Sequence, residues 1–321
     1  MKTEFNSITL SNDLKKKIKG KVLFDEFSKG RYSTDASLYQ IKPIGVVLPK
    51  DQFDVLNIIE YSQKNSIPLL ARGGGSSQCG QTVGECIVLD YSKYQNKILE
   101  FNAKEKFVWV EPGIVLDQLN EYLKPHGLWF PVDVSTSSRA TIGGMTGNNS
   151  CGSRSLYYGN MVNNVLAVES ILDDGSIHTF ENIDKNYLSK TNDQNRKFQI
   201  IKKCIDIREQ VENEINEHWP KTQRRVGGYN IDLINPNGFN ASNILVGSEG
   251  TLSLFNKIKL KLSEIPKKKI LGVCYFEKFH EAMTLTREMV KLKPTTVELM
   301  DKNLLDLAKE IPIYADGIKK Y

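Results

Sequence analysis

The 321-residue chain has no apolar run approaching the roughly 20 residues that a bilayer-spanning helix needs. No transmembrane segment is expected. Residues 1–20 are polar and lysine-rich, without the apolar core of a secretory leader. The five cysteines (Cys79, Cys86, Cys151, Cys204 and Cys274) are scattered and contain no C-x-x-C pair. That spacing suggests neither a zinc site, nor an iron–sulfur cluster, nor a disulfide framework, so free thiols in a reducing cytosol are expected. The four histidines (His126, His178, His218 and His280) form no H-x-x-x-H pair and read as cap or surface groups. Charge of one sign is scarce: 43 basic against 38 acidic residues leave a net +5. This mild excess suits an acidic cofactor or a carboxylate substrate and gives no nucleic-acid signature. Internal repeats and low-complexity linkers are missing too. The length allows a large core and favours two domains.

Two common nucleotide-binding signatures are also absent, and their absence frames what is present. Residues 71–80 read A-R-G-G-G-S-S-Q-C-G, between the apolar segment 67–70 and the strand-like run 86–90. Three successive glycines and two hydroxyls can take positive φ and bring backbone N–H groups to an anion such as a pyrophosphate. A Rossmann or P-loop fingerprint would open a helix here, and no helical period follows. The loop is expected to join two strands.

Along the chain, residues 1–30 read as a helical, charged, peripheral arm. A strand over 44–48 precedes a helix carrying Phe53, Val55, Leu56, Ile58 and Ile59, which ends near Asn65. Strands are expected at 67–71, 86–90, 97–101 and 107–110, then a helix through Leu116, Leu119 and Leu123 that stops at Pro125 and Gly127. Residues 141–152 hold four glycines and two asparagines, which means close backbone approach or special φ/ψ. A hairpin is expected around Asp173-Asp174-Gly175-Ser176, and one long amphipathic helix from Phe198 to beyond Ile215. Residues 244–246 and 252–262 read as strands. After Pro266 a new pattern begins: strand 270–276, helix 279–291, strand-like 295–299 and helix 302–310.

Each glycine cluster alone is a weak signal; their order is specific. The series comprises A-R-G-G-G-S-S-Q-C-G at 71–80, P-V-D-V-S-T-S-S-R-A-T-I-G-G at 131–144, N-N-S-C-G at 148–152, Y-Y-G at 157–159, V-L-A-V-E-S-I-L-D-D-G at 165–175 and L-V-G-S-E-G-T-L at 245–252. It resembles the FAD-binding domain of the FAD-linked oxidases, the vanillyl-alcohol oxidase (PCMH) type, nearest the D-lactate dehydrogenase, glycolate oxidase and D-2-hydroxyglutarate dehydrogenase group. P-T-T-V-E-L-M-D at 294–301 extends the likeness into that family's cap domain. The resemblance implies an α+β chain: an arm over 1–37, a two-subdomain PCMH-type FAD-binding fold over 38–265, and an incomplete ferredoxin-like cap over 266–321.

The same resemblance implies roles. Arg72, Gly73, Gly74, Gly75, Ser76 and Ser77 would bind the FAD diphosphate. Asp133, Ser135, Thr141, Gly143 and Gly144 would line the second wall, with Asn149 and Gly152 nearing the flavin. Val168 would meet the adenine or ring edge by its backbone, and Glu249 and Gly250 would close the adenine side. Tyr229 is a candidate active-site wall residue. Relatives with a covalent flavin carry histidine where Ser76 stands, so FAD is expected to be non-covalent. The implied reaction is hydride transfer from a small D-lactate-like 2-hydroxy acid to flavin N5. The base and substrate residues would lie beyond Tyr321, leaving no catalytic residue assignable here. No metal site is expected. An iron–sulfur centre, quinone or cytochrome would take the electrons, in a cytoplasmic protein or one peripheral to the inner membrane. The alternative is a catalytically incomplete FAD-binding module, or a subunit completed by a partner chain. Arg139, Arg154, Arg224 and Arg225 could reach a phosphate or carboxylate, although solvated or ion-paired roles fit each better. Apolar surface is expected near 270–310.

Overall fold

In a computed structural model of the chain, residues 6–190 and 195–318 are described. The first five residues of the expected arm and the last three of the expected cap lie outside them.

The N-terminal region is not helical throughout. Helix α1 (Ser7–Lys17), capped by the Asn6 side chain, is followed by strand β1 (Lys21–Leu23) and helix α2 (Glu26–Arg31). Residues 21–23 form a strand because they have a partner: β1 lies antiparallel on β2 (Gly45–Leu48), with Val22 opposite Val47. Helix α3 (Gln52–Asn65) starts at Asp51, whose side chain accepts from Phe53 and Asp54 N–H, and stops at left-handed Ser66. Strands β3 (Leu69–Arg72) and β4 (Ile87–Asp90) complete a sheet ordered β1-β2-β4-β3, in which β4 runs parallel to both neighbours. Every residue of β2 and β4 is buried, and both are apolar apart from Asp90 at the end of β4.

Val55, Ile58 and Ile59 of α3 pack with Leu10, Leu14 and Ile18 in one cluster. Phe53, expected on that face, is instead 60% exposed. The buried Asp54 carboxylate accepts N–H bonds from Lys19, Gly20 and Lys50, each at 2.8 Å. A buried carboxylate so satisfied fastens the N-terminal segment to the sheet rather than leaving it peripheral.

The second layer begins with β5 (Ile98–Asn102), β6 (Phe107–Val110), α4 (Leu116–Leu123), β7 (Leu128–Trp129) and α5 (Ile142–Asn148). It continues through short helices α6 (Ser155–Tyr158) and α7 (Met161–Asn164), the hairpin β8 (Val165–Ile171) and β9 (Ile177–Asp184), and α8 (Tyr187–Lys190). Helices α9 (Arg196–Gln210) and α10 (Glu212–His218), then β10 (Gly238–Asn240), β11 (Leu254–Lys261) and β12 (Ser263–Glu264) close it. The main sheet is antiparallel in the order β10-β9-β8-β11-β6-β5. Phe130, Ile142, Met161, Phe180 and Ile258 are among its fully buried core.

Two expectations fail here for local reasons. The single long helix breaks at Val211, whose φ of -107° and ψ of 22° leave the helical range. Residues 244–246 end and follow a 3-10 turn (Ala241–Ile244) instead of forming a strand, because buried Asn230 Nδ2 donates to the Val246 carbonyl at 2.7 Å. The glycine-rich 141–152 segment contains helix α5, which Thr141 caps while Ile142 and Met145 anchor it in the core.

The two layers meet where Asn256 donates to Gln52 at 3.0 Å and to Glu169 at 2.6 Å. Beyond β12, helices α11 (Phe279–Lys291), α12 (Lys302–Lys309) and α13 (Pro312–Ile318) follow. The strands expected at 270–276 and 295–299 are absent: neither segment has a strand partner among the described residues. Ile270 is 98% exposed there.

Candidate functional site

A cleft of about 450 Å³ opens between the end of β3 and the start of α5. Residues 71–79 form one wall, and residues 134–136 with 140–151 supply much of the other. Glu249, Gly250, Ser253 and Phe255 complete it.

The first wall has its polar backbone turned free. No N–H of residues 73–77 donates to a protein atom among the described residues. Gly75 sits at φ +62°. Free N–H groups in such a turn form an anion nest. Glycine is required for a second reason: a Cβ on Gly73 would lie 1.9 Å from Thr141 Oγ1, and one on Gly74 would lie 2.3 Å from the Arg139 carbonyl oxygen. Ser76 Oγ accepts from Thr136 Oγ1 at 3.3 Å, and Ser77 Oγ donates to Gln81 Oε1.

Arg72 also lines the cleft, but its guanidinium is committed behind the loop. Nη1 donates to the Tyr32 and Thr82 carbonyls at 3.2 and 3.0 Å, and Nη2 to the Thr34 carbonyl at 2.7 Å. The group stacks on the Tyr32 ring at 5.2 Å. Arg72 therefore shapes the nest. Burial draws the Arg72 pKa below its ordinary value, against the pull of Asp90, Tyr32 and Asp35. Burial and the hydrogen bond to Asp90 push the Tyr32 phenol well above its ordinary range.

The second wall is glycine-rich for another purpose. Ile142 N–H donates to the Ile114 carbonyl at 2.8 Å, Gly143 N–H to the Pro112 carbonyl at 2.7 Å, and Gly144 N–H to Thr141 Oγ1 at 3.3 Å. The donors opening α5 are thus satisfied inside the protein. A Cβ on Gly143 would meet Pro112 Cβ at 2.6 Å. Thr141, Gly143 and Gly144 line the cleft by letting backbone approach closely.

Asp133 and Gly152 lie outside this cleft. They line an adjoining polar cavity of about 530 Å³, which shares Val134, Ser135 and Cys151 with it. Asp133 accepts from Ser153 Oγ at 3.0 Å and Arg154 N–H at 3.1 Å, so it organises the turn after Gly152. Arg154 lies over the Trp129 ring at 4.5 Å, with its Nε 3.8 Å from Asp133. Trp129 Nε1 is buried without a partner among the described residues.

The remaining candidates divide. Glu249 and Gly250 line the cleft. Asn149 is fully buried at φ +52°; its Oδ1 accepts from Val162 N–H at 3.0 Å and its Nδ2 has no partner among the described residues. Val168 is a core residue of β8 between Ile258 and Phe180, away from the lining. Tyr229 is half exposed and bonds Thr251 Oγ1 at 2.8 Å without lining the cleft. Arg224 donates to the Gly152 carbonyl at 2.9 Å, and Arg225 pairs with both Asp232 oxygens at 2.6 Å.

Sequence reasoning missed Gln81, Asn148 and Thr136, which bond across the cleft or to the loop. Gln81 and Thr136 stand in or beside the quoted motifs, but only the fold brings them to their partners. His126 stacks on Phe101 at 4.7 Å, away from the site. No cluster of three or more His, Cys, Asp or Glu that could hold a metal occurs among the described residues. No described helix is long and apolar enough to cross a membrane.

An unpaired N–H nest in such a cleft fits the diphosphate of a dinucleotide. Residues 43–181 match a family model described as an FAD binding domain. The chain is 35% identical over 293 residues to a D-2-hydroxyglutarate dehydrogenase of Haemophilus influenzae, covering 87% of this chain and 28% of that protein. It is 29% identical over 269 residues to a D-lactate dehydrogenase of Archaeoglobus fulgidus, covering 83% of this chain and 49% of that one. The chain thus spans under a third of the D-2-hydroxyglutarate dehydrogenases it matches. An alkyldihydroxyacetonephosphate synthase superposes with a TM-score of 0.64 at 18% identity, covering 92% of this chain and 48% of that one, a likeness of fold. Residues 43–181 therefore match an FAD-binding domain, the helix-and-sheet architecture is the fold of that solved structure, and the cofactor is FAD.

Proposed function

We propose that the chain is the flavin-holding part of an oxidoreductase that oxidises a D-2-hydroxy acid, with D-2-hydroxyglutarate or D-lactate as the substrate class. The observation that carries this reading is the cleft with five consecutive unpaired N–H groups, joined through Val134, Ser135 and Cys151 to a second polar cavity. When bound, FAD supplies a two-electron acceptor for hydride. The N–H groups of residues 73–77 hold its diphosphate, with Ser76 and Ser77 hydroxyls beside them. Thr141, Gly143 and Gly144 keep the opposite wall close. The flavin end would face the shared boundary of the two cavities at Val134, Ser135 and Cys151, beside Gly152, which packs against Asp133 where a Cβ would lie 2.2 Å from its carbonyl oxygen. Arg154, fixed by Trp129 and Asp133, is the cation that meets the substrate carboxylate. Residues 266–318 begin the ferredoxin-like cap, and a separate iron–sulfur, quinone or cytochrome carrier accepts the electrons. Ser76 offers no histidine for a covalent link, so FAD is dissociable.

A second reading has its own support. Leu271, Tyr275, Leu292, Leu304, Leu307 and Ile313 are all exposed. A module that binds FAD and turns over only when another polypeptide segment covers this face fits that surface.

The test is an oxygen-free mixture of FAD-loaded protein with D-2-hydroxyglutarate, D-lactate or glycolate. Loss of oxidised-flavin absorbance with one of them supports the dehydrogenase. Unchanged absorbance with all three, at stoichiometric FAD, leaves the module. Acid precipitation checks the linkage: FAD should pass entirely into the supernatant.

A further inference from the structure

Residues 220–229 lead from the end of α10 to Asn230 without regular structure, and all but Arg225 are exposed. Among the described residues, none of them takes part in a backbone–backbone hydrogen bond. A stretch with no ladder bond and no buried side chain opens at little cost unless its own side chains hold it.

Side chains hold it at two separate places. Gln223 Nε2 donates to the Leu156 carbonyl at 3.0 Å, and Arg224 Nη1 to the carbonyl of Gly152, which lines the second cavity, at 2.9 Å. Farther along, Tyr229 Oη meets Thr251 Oγ1 at 2.8 Å. Thr251 Oγ1 gives its own hydrogen to the Ser248 carbonyl at 2.6 Å, so Tyr229 is the donor. Thr251 follows Glu249 and Gly250, which line the cleft. Between the two anchorages lies Val226, 38% exposed and itself part of the cleft lining. Among the described residues it is the one lining residue between Cys151 and Glu249. The segment therefore crosses from the Gly152 side of the site to the Thr251 side and lays an apolar side chain on the cleft on its way.

The crossing has a pivot. A Cβ on Gly227 or Gly228 would meet nothing within 4 Å, and Gly228 sits at φ +77°. Neither glycine admits a close neighbour; what they give the chain here is backbone freedom. Just beyond them, Asn230 is 2% exposed and donates to the Val246 and Asn243 carbonyls at 2.7 and 3.3 Å. A movable stretch thus ends on a fixed point.

We infer that residues 223–229 are a strap across the FAD cleft, latched by Tyr229 on Thr251 and hinged at Gly227–Gly228, which must be released for the cofactor to enter or leave. The latch uses only this chain's atoms, so it acts with and without FAD. It slows entry and exit by one factor, setting the exchange rates and leaving the equilibrium alone.

The strap rests on FAD lying in the cleft, as proposed above, and the test separates the two. FAD entry and exit are followed by stopped-flow flavin fluorescence, exit being started by dilution. Tyr229→Phe deletes the latch and should speed both rates about fivefold, the worth of one exposed hydrogen bond. Equilibrium affinity should stay within about twofold. Gln223→Ala, at the other anchorage, should act in the same direction and serves if Tyr229→Phe does not fold. A second readout needs no cofactor: limited trypsin digestion. Cleavage after Lys221, Arg224 and Arg225 should quicken about fivefold in Tyr229→Phe, while cleavage at exposed Lys267–Lys269, which do not line the cleft, keeps its wild-type rate. Two unchanged FAD rates, or a faster exit with unchanged entry, overturn the strap; the second result makes Tyr229 an ordinary contact of bound FAD. Faster tryptic cleavage with unchanged FAD rates overturns it as well, because the segment then opens without uncovering the cofactor. In each of these cases wild-type protein that binds FAD keeps its cofactor site, whereas wild-type protein that binds none loses both.

Discussion

The two glycine clusters facing each other across the cleft look alike in sequence and do different work. Residues 73–77 present five N–H groups with no protein partner. At the start of α5, the N–H groups of Ile142, Gly143 and Gly144 are all taken, by Ile114, Pro112 and Thr141. One cluster has the free donors that an anion receptor needs. The other is a spacer, in which Gly143 lets Pro112 come close. A glycine count therefore does not identify a phosphate site; the fate of each N–H does.

The comparison breaks most visibly at Gly74. Gly74→Val drives a side chain into the Arg139 carbonyl, only 2.3 Å from a Cβ there. The purified variant should be colourless, with FAD affinity reduced at least ~100-fold, about 3 kcal/mol, in a flavin titration. Gly143→Ala should act the other way round. Its Cβ meets Pro112 at 2.6 Å. Apoprotein stability should drop by about 1–3 kcal/mol in urea, while the affinity of the folded fraction for FAD stays within about threefold.

Behind the first wall, Tyr32 donates to Asp90 Oδ2 at 2.5 Å and stacks under Arg72. Tyr32→Phe should cost about 1 kcal/mol and loosen the nest from the rear. It should also change the alkaline limb. Burial first, then Asp90, raises the Tyr32 pKa above its ordinary value. Its contribution is therefore complete below the unfolded value of about pH 10 and is lost as pH rises toward the folded one. Unfolding midpoints measured upward from neutrality should fall less steeply above pH 10 in Tyr32→Phe than in wild type. On the second wall, Thr141→Val removes the α5 cap at about 1 kcal/mol, with FAD binding nearly unchanged because Thr141 Oγ1 already serves Gly144.

The gentlest probe is thiol alkylation. Cys79 and Cys151 line opposite walls of the cleft, whereas burial pushes the Cys86 thiol up to about 12. FAD should slow labelling of Cys79 and Cys151, and Cys86 should resist reagent in both states. Labelling of Cys79 and Cys151 at equal rates with and without FAD would place the cofactor elsewhere.

Much of this was readable before any coordinates. The nest declared itself because three glycines stand between two strand-like runs, and β3 and β4 do flank it. The end of α3 near Asn65 and the Asp173–Ser176 turn are local chemistry, and local chemistry is written in the residues beside it. What failed was tertiary. Residues 21–23 are a strand only because Val47 lies opposite Val22. Helix α5 carries three glycines and forms because Ile142 and Met145 are buried and Thr141 caps it. Residues 270–276 look strand-like but find no edge to pair with among the described residues. Arg72 stands beside the glycines like a phosphate ligand, yet three carbonyls from distant segments claim it. Gln81 and Glu249 meet across 168 residues, a pairing no spacing rule could supply.

Amide hydrogen exchange tests the difference between the two clusters directly. Without FAD, the amides of residues 73–77 should exchange rapidly and those of Ile142, Gly143 and Gly144 slowly; adding FAD should protect the first set and leave the second as it was. Protection of residues 73–77 before FAD is added, or no gain there when FAD binds, would contradict the assignment of that loop as the diphosphate receptor.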